Sequence, residues 1–468
     1  MEMEDEVIPD KQALDDGAVE QQVGLADAFI QEIASLLDQN YTDRIQELCR
    51  DLPAPDAAEL IVKLDSARRH KLIEVLEDDL HPETFSYFDH DLLNDLLEHM
   101  SGKNIAAIVS ELDSDDAIGL INGLDEERQG NILRHLNRNL RAVVEEGLTF
   151  PEASAGRMMQ REFVAIPQFW TVGKTVDYLR AAATTLPEKF YNIFIVDPMH
   201  RFIGTVTLSN VLCAQRSVKV DTLVGEEYVT IPVTMDQEQV AFLFRRKDLL
   251  SAPVVDENEQ LIGVITVDDI VDVIDKEAEK DLLNLSGVSD TDIHRPIIAT
   301  ANSRFFWLAI NLVTAIAAAW VISLFEATIA KITVLAVLMP IVASMGGNAG
   351  TQSLAVAVRA LATKDLSSSN SPRVIAKEAI VGLINGILFA VIMGAVVFLW
   401  FHNLQLGMII GAAMIMNLIA AGFSGAMIPI VMSRMGHDPA QSAVVFLTTV
   451  TDIVGFFSFL GLASWLML

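Results

Sequence analysis

The sequence predicts a multi-domain chain with an all-α superhelical front, a duplicated α/β middle, a charged connecting helix and an all-α rear unit of five transmembrane helices. Three observations predict it: an uneven division of charge, two internal repeats, and five long apolar stretches in the last third of the chain.

The 468 residues carry a formal net charge of −30 although 51% of them are hydrophobic, which does not suit one soluble globule. Residues 303–468 hold seven Lys or Arg and five Asp or Glu, leaving 26 basic and 58 acidic residues in 1–302. The front is therefore near −32 and the rear near +2. An acidic body of this kind repels phosphate backbones, which argues against a nucleic-acid partner, and it concentrates cations. Cys49 and Cys213 form no CxxC and suggest no disulfide framework. The start, MEMEDEVIPD, lacks the apolar core of a cleavable signal peptide, and residues 1–24 read as a solvated acidic tail.

Residues 25–150 read as short helices, with a repeat at an offset of 60. Leu52, Asp56, Ala57, Leu60, Ile61, Leu64, Asp65, Arg68 and Leu76 recur as Leu112, Asp116, Ala117, Leu120, Ile121, Leu124, Asp125, Arg128 and Leu136. Each unit predicts a pair of amphipathic helices that must bury their apolar faces against neighbours, as in a short superhelical stack or a generic bundle. In residues 151–276 a second repeat appears at an offset of 59. Val196-Asp197, Ile203-Gly204, Thr207 and Asn210 recur as Val255-Asp256, Ile262-Gly263, Thr266 and Asp269, preceded by EFVAIP (162–167) and EYVTIP (227–232). Order, spacing and duplication together resemble a tandem pair of CBS domains, each a β-α-β-β-α module.

From Asp268 to about Arg304 the chain reads as a charged helix leading to the membrane, with 277–302 as its connecting portion and 303–468 as the membrane unit. The apolar stretches 305–325, 332–358, 379–401, 406–433 and 440–466 can each cross about 30 Å of hydrocarbon at about 1.5 Å per residue. Arg359, Lys364, Arg373 and Lys377 fall in one loop and Arg434 beside another, so these loops are expected inside and the C-terminus outside.

Asp452 is the charged residue that matters most, because no other residue from Gln441 to the end is charged. A carboxylate inside a span costs about 2.5–3.5 kcal/mol on insertion scales, so it should face a partner or water. In a helix Thr448, Asp452 and Gly455 share a face, which points to a cation path more than to an interfacial Asp satisfied by backbone donors. In PIVASMGGNAGTQSLAVAVRALA (340–362), Gly346, Gly347 and Gly350 surround Asn348. Two readings stand side by side there: a loosened helix whose carbonyls turn to a cavity, or close small-xxx-small packing. Carboxylate, amide and carbonyl oxygens suit Mg²⁺, which needs octahedral oxygen coordination and gives up its waters reluctantly. The chain has no Zn-spaced His/Cys set, P-loop or GxSxG, which argues against an ATPase, a hydrolase or any other enzyme.

These features together resemble the MgtE family over about 25–468, the pore signature lying in PIVASMGGNAGTQS…VRALA, HDPA (437–440) and TTVTD (448–452). The resemblance implies a homodimeric Mg²⁺ channel in the bacterial plasma membrane, with the ion on the dimer axis at Asp452, Asn348 and Gly347 along its path, and Thr448 offering a carbonyl. It further implies regulatory Mg²⁺ ligands at Asp236, Glu238, Asp248, Asp269, Asp272, Glu277, Asp281 and Asp438, with Asp115 in the N-domain, so that cytosolic Mg²⁺ locks the connecting (plug) helices and closes the path. Thr266 and Asp269 fit a CBS nucleotide site for ATP, whereas Asn210 replaces the acid in the first unit. Three departures stand out: Lys280 where an acid is usual, Gly119 where the N-domain often has a second acid, and Val444-Val445 in place of Gly-Pro. Transport of another divalent cation such as Co²⁺, and a nucleotide-sensing membrane receptor, are the competing readings.

Overall fold

The structure is a computed structural model that describes residues 24–76, 79–187, 189–225, 228–285, 297–367, 369–436 and 439–468. It divides into a front unit that runs to Val273 and a rear unit that starts at Ile274.

The front unit begins with the helices α1 (Asp27–Gln39), α2 (Thr42–Cys49), α3 (Ala54–Lys63), α4 (Ser66–Leu76), α5 (His90–Glu98), α6 (Gly102–Val109), α7 (Ser114–Asn122), α8 (Glu126–His135) and α9 (Arg138–Gly147). The 60-residue repeat is the pair α3–α4 and the pair α7–α8. Equivalent apolar positions are buried in one shared core, Leu60 with Leu120, Ile61 with Ile121, Leu64 with Leu124, Leu72 with Ile132 and Leu76 with Leu136. The equivalence extends to polar groups. Buried Arg69 donates from Nε to the Ile61 carbonyl and from Nη2 to the Leu64 carbonyl, both at 3.0 Å. Sixty residues on, Gln129 Nε2 donates to the Ile121 carbonyl at 3.1 Å and to that of Leu124 at 2.9 Å. Each side chain satisfies the open carbonyls at the end of the first helix of its pair, groups that a helix cannot satisfy itself. Asp56 and Asp116 lie inside the first turns of α3 and α7, while Asp125 caps α8 by accepting the Arg128 amide at 2.8 Å.

Next come α10 (Ala155–Met158), β1 (Ala165–Pro167), α11 (Val172–Ala181), β2 (Asn192–Val196), β3 (Phe202–Thr207), α12 (Leu208–Cys213), β4 (Ile231–Pro232), α13 (Gln237–Lys247), β5 (Ser251–Val255) and β6 (Leu261–Thr266). They form two sheets of the same topology, β1 parallel to β2 and β2 antiparallel to β3, then β4, β5 and β6 likewise. Residues 59 apart meet across the duplication: Asn192 Nδ2 donates to Ser251 Oγ at 2.8 Å, and Arg201 bridges to Gln260. Equivalent residues that touch each other define a local two-fold relation between the two modules. The helical stack is tied to this pair by Arg161, which binds Glu146 at 3.0 Å and donates to the Ile262 carbonyl at 2.6 Å, and by Ser114 Oγ, which donates to Glu162 at 2.8 Å.

The helix α14 (Val267–Leu285) follows, and beyond it α15 (Ile297–Ser323), α16 (Glu326–Lys331), α17 (Val334–Ala362), α18 (Ser371–Phe401), α19 (Leu404–Arg434) and α20 (Pro439–Met467). Five of these are long and apolar enough to cross a membrane: α15, α17, α18, α19 and α20. They outrun the apolar stretches at several ends because a helix continues into polar residues once its hydrogen bonds are formed. α19 packs against α17, α18 and α20 and is the most enclosed. One end of the bundle is an apolar cluster that includes Leu335, Leu338, Val397, Ile410, Phe459 and Leu460. The opposite end is a smaller cluster, in which Leu354, Val358, Ala443 and Leu447 take up Leu285 from the last turn of α14.

Replacing Arg69 by Leu leaves the buried carbonyls of Ile61 and Leu64 short of a donor and should cost about 2 kcal/mol, while Gln129→Leu, whose bonds are only partly buried, should cost about 1 kcal/mol. Chemical unfolding of the front unit measures both, and equal losses would contradict the ranking.

Candidate ion path and acidic cluster

Between the two apolar clusters of the rear unit lies a polar layer on α17, α19 and α20. Asp452 is half-buried on α20, and its carboxylate makes no hydrogen bond or ion pair among the described residues. Thr448, one turn earlier, donates its hydroxyl to the Val444 carbonyl at 2.6 Å, which leaves its own side chain satisfied within the helix. Gly347 faces it, since a Cβ there would lie 3.9 Å from Thr448 Cγ2. Asn348 is exposed on α17. Gly347, Asn348, Thr448 and Asp452 thus fall on neighbouring stretches of two packed helices.

The glycine-rich segment resolves in favour of packing. α17 is an unbroken helix from Val334 to Ala362, and it carries Gly346, Gly347 and Gly350 without a break. A Cβ on Gly350 would stand 2.8 Å from Leu447 Cδ1, so Gly350 lets α20 approach closely. Likewise α20 is continuous through Val444-Val445. Two polar groups in this unit escaped sequence reasoning. Asn417 of α19 is buried against Gly346, and Glu378 of α18 is buried with Ser353 Oγ donating to it at 2.8 Å. Glu378 reads from sequence as the end of a loop, because the apolar run starts one residue later.

In the front unit the structure draws Asp115 and Asp269 into one electrostatic cluster. One oxygen of Asp115 is sealed from solvent with no hydrogen-bond partner among the described residues. Burial first, then the charges of Asp269 and Asp116, hold the Asp115 carboxyl well above the usual range. Asp269 is pushed up to about 6, chiefly by burial and then by Asp268 and Asp116, against the hydrogen bond it accepts from Thr266. Asp272 and Asp268 reach the same neighbourhood, since both charges act on Tyr87 together with Asp116. Asp116 and Asp268 are therefore members that sequence reasoning left unassigned, and the signal was the adjacent pairs Asp115-Asp116 and Asp268-Asp269. A set of hard oxygens with an orphaned, buried carboxylate atom fits a divalent cation. No three His, Cys, Asp or Glu side chains among the described residues converge into a finished cage. The nucleotide pair Thr266 and Asp269 is engaged with itself, Oγ1 donating to Oδ2 at 2.7 Å.

The other expected ligands stand apart. Asp236 caps α13 by accepting the Glu238 amide at 2.9 Å, and Asp248 ends the same helix in the left-handed conformation at φ 51°. Eleven helical residues separate them, about 16 Å, so Asp236 and Glu238 do not share a site with Asp248 in one protomer. Glu277 and Lys280 pair at 3.1 Å on α14, so the unexpected lysine supplies a cation to a neighbouring acid, with Asp281 on the next residue. A Cβ at Gly119 would meet nothing within 4 Å. Asp438 lies outside the described residues.

An apolar five-helix unit joined to an acidic front defines a multi-pass membrane protein. Residues 339–462 match the MgtE family, described as a divalent cation transporter; residues 52–153 match the MgtE intracellular N domain and 220–276 a CBS domain. The magnesium transporter MgtE of Enterococcus faecalis is 35% identical over 324 residues, covering 69% of this chain and 71% of that protein. That of Bacillus subtilis is 28% identical over 439 residues, covering 94% and 97%. A solved structure of the cytosolic domain of the Mg²⁺ channel MgtE in complex with ATP is similar at a TM-score of 0.48 and 27% identity, over 52% of this chain and 99% of that one. The chain belongs to the MgtE family.

An acid whose proton is held more tightly in the fold stabilises the fold below its unfolded value and loses that contribution as pH rises through the folded one. For Asp269 the window runs from 3.8 to about 6. In chelator, the front unit should therefore melt progressively lower as pH is raised across this window. An Asp115→Asn/Asp269→Asn double variant should flatten that profile and melt about 2–4 °C higher at neutral pH. Calorimetry of wild type and variant reads both, and an unchanged profile would assign the effect to other acids.

Proposed function

We propose that this chain forms a homodimeric channel that admits Mg²⁺ down its electrochemical gradient and closes when Mg²⁺ accumulates in the cytosol. The observation that carries the reading is Asp452, a carboxylate inside an apolar helix without an internal partner among the described residues. Retaining it in a bilayer is costly unless water and a cation meet it. One aspartate per protomer leaves a divalent ion half neutralised, so a two-fold axis beside Asp452 completes the charge balance. The ion keeps much of its water, which Asn348 and the carbonyl at Thr448 can meet at a distance. Entry is driven by the membrane potential, worth about 2.3 kcal/mol per charge for each 100 mV, without ATP.

Regulation rests on the acids of the front unit and α14. At low Mg²⁺ the charges of Asp115, Asp116, Asp268, Asp269 and Asp272 repel one another; Mg²⁺ bound by Asp115 and Asp269 removes that repulsion. Asp236, Glu238, Asp248, Glu277, Asp281 and Asp438 supply further weak sites once two protomers meet. Shifting a gate from 1:99 to 99:1 takes about 5.5 kcal/mol of differential binding, which several weak ions deliver together and steeply. Asp269 is assigned to the cation rather than to ATP, because its buried carboxylate neighbours are acids.

Leu285 of α14 packs at the bundle end where α17 finishes and α20 begins, the end that also carries Lys364 after α17 and Arg373 in the first turn of α18. That supports a cytoplasmic placement of this end and of the front unit, with the C-terminus on the far side of a bacterial plasma membrane.

Asp452→Ala should abolish Mg²⁺ uptake by a Mg²⁺-dependent host while the purified variant still elutes as a dimer. Full uptake would refute the path. Removing residues 1–150 should leave uptake intact and weaken closure at millimolar Mg²⁺; a channel that still closes as sharply contradicts the sensor. Flux in the presence of competing Co²⁺ separates a Mg²⁺ channel from one for another divalent ion.

A further inference from the structure

Asn417 sits near the middle of α19 with 1% of its surface exposed. Its Nδ2 donates to the Val342 carbonyl of α17 at 2.8 Å, and its Oδ1 is buried with no partner among the described residues. The amide occupies a slot with glycine walls. A Cβ on Gly346 of α17 would lie 2.2 Å from Nδ2, and one on Gly455 of α20 would lie 2.8 Å from the same atom. Because both walls press on it, the amide cannot swing aside for a side chain at either glycine.

A buried acceptor left unmet is expensive. An interhelical hydrogen bond in a bilayer returns little, because competing partners exist there too. Leucine keeps the branching at Cγ and has no polar atoms, so it would remove the unmet acceptor. Stability therefore does not explain the amide. Its position does: Gly346 precedes Gly347 and Asn348, and Gly455 lies less than one turn beyond Asp452. The two helices that carry the polar layer are spaced by this one side chain and tethered by its hydrogen bond.

We propose that Asn417 is a positioning residue that sets the separation of α17 and α20 at the level of Asp452, and thereby the preference of the path among hydrated divalent cations. The proposal rests on the reading of Asp452 as the ion-binding residue of the path.

The test uses full-length protein reconstituted in liposomes, with Mg²⁺ and Co²⁺ fluxes measured for each variant. Asn417→Leu should keep its melting temperature and dimeric state while its Mg²⁺-over-Co²⁺ preference shifts by roughly fivefold or more. Wild-type preference in a folded Asn417→Leu protein overturns the proposal. Should that variant fail to fold, a size exchange decides the matter. Gly346→Ala alone should destabilise the protein, and Gly346→Ala/Asn417→Ala should regain the fold, since alanine at 417 vacates the space. Lacking the amide donor, the double variant should still show the shifted preference; recovery of both fold and preference would mean that packing alone is at work. Conduction by Asp452→Ala removes the ion-path reading separately, because it leaves the effect of Asn417 on preference measurable.

Discussion

A carboxylate inside hydrocarbon constrains the whole rear unit. Asp452 stands on a helix with no cation of its own, so the surrounding helices must leave it a route to water while sealing everything else. The bundle does this by layering. Apolar clusters lie toward both ends of the packed helices, and Asp452 and Asn417 lie at the level between them. Close approach at that level depends on Gly346, Gly350 and Gly455, each filled by a side chain of a neighbouring helix. Of the two readings that the sequence offers for this segment, the structure shows the tightly packed one.

The front unit solves a related problem in a wetter setting. Its acids are crowded instead of isolated, and burial makes Asp115 and Asp269 hold protons that an exposed aspartate would shed. Crowding stores repulsion that a cation can relieve, which is a different use of negative charge from that on α20. Beside Asp115, the contacts of Ser114, Glu162 and Arg161 fasten the helical stack to the paired sheets.

Both repeats were legible because duplicated geometry repeats its apolar spacing: Ile61 and Ile121, or Val196 and Val255, occupy equivalent places. The five membrane helices were legible from length and hydropathy, and Asp452 from its isolation in the last of them. The packing role of Gly346 was not, since sequence offers both a loosened helix and a close crossing, and the neighbour that distinguishes them, Asn417, lies 71 positions away on another helix. Asp236 and Asp248 illustrate a second limit. As helix cap and left-handed terminus they have local reasons to be aspartate, whatever else they do. Asp116 and Asp268 were hidden for the opposite reason, as unremarkable members of acidic pairs whose meeting requires the tertiary fold.

One small contact links the two uses of charge. Leu285, from the final turn of α14, shares a cluster with Leu447, and Leu447 fills the notch left by Gly350, one residue before Thr448. The leucine that Leu285 packs against is therefore a backbone neighbour of the polar layer. The end of α14 is thus joined to the level of Thr448 by apolar packing alone.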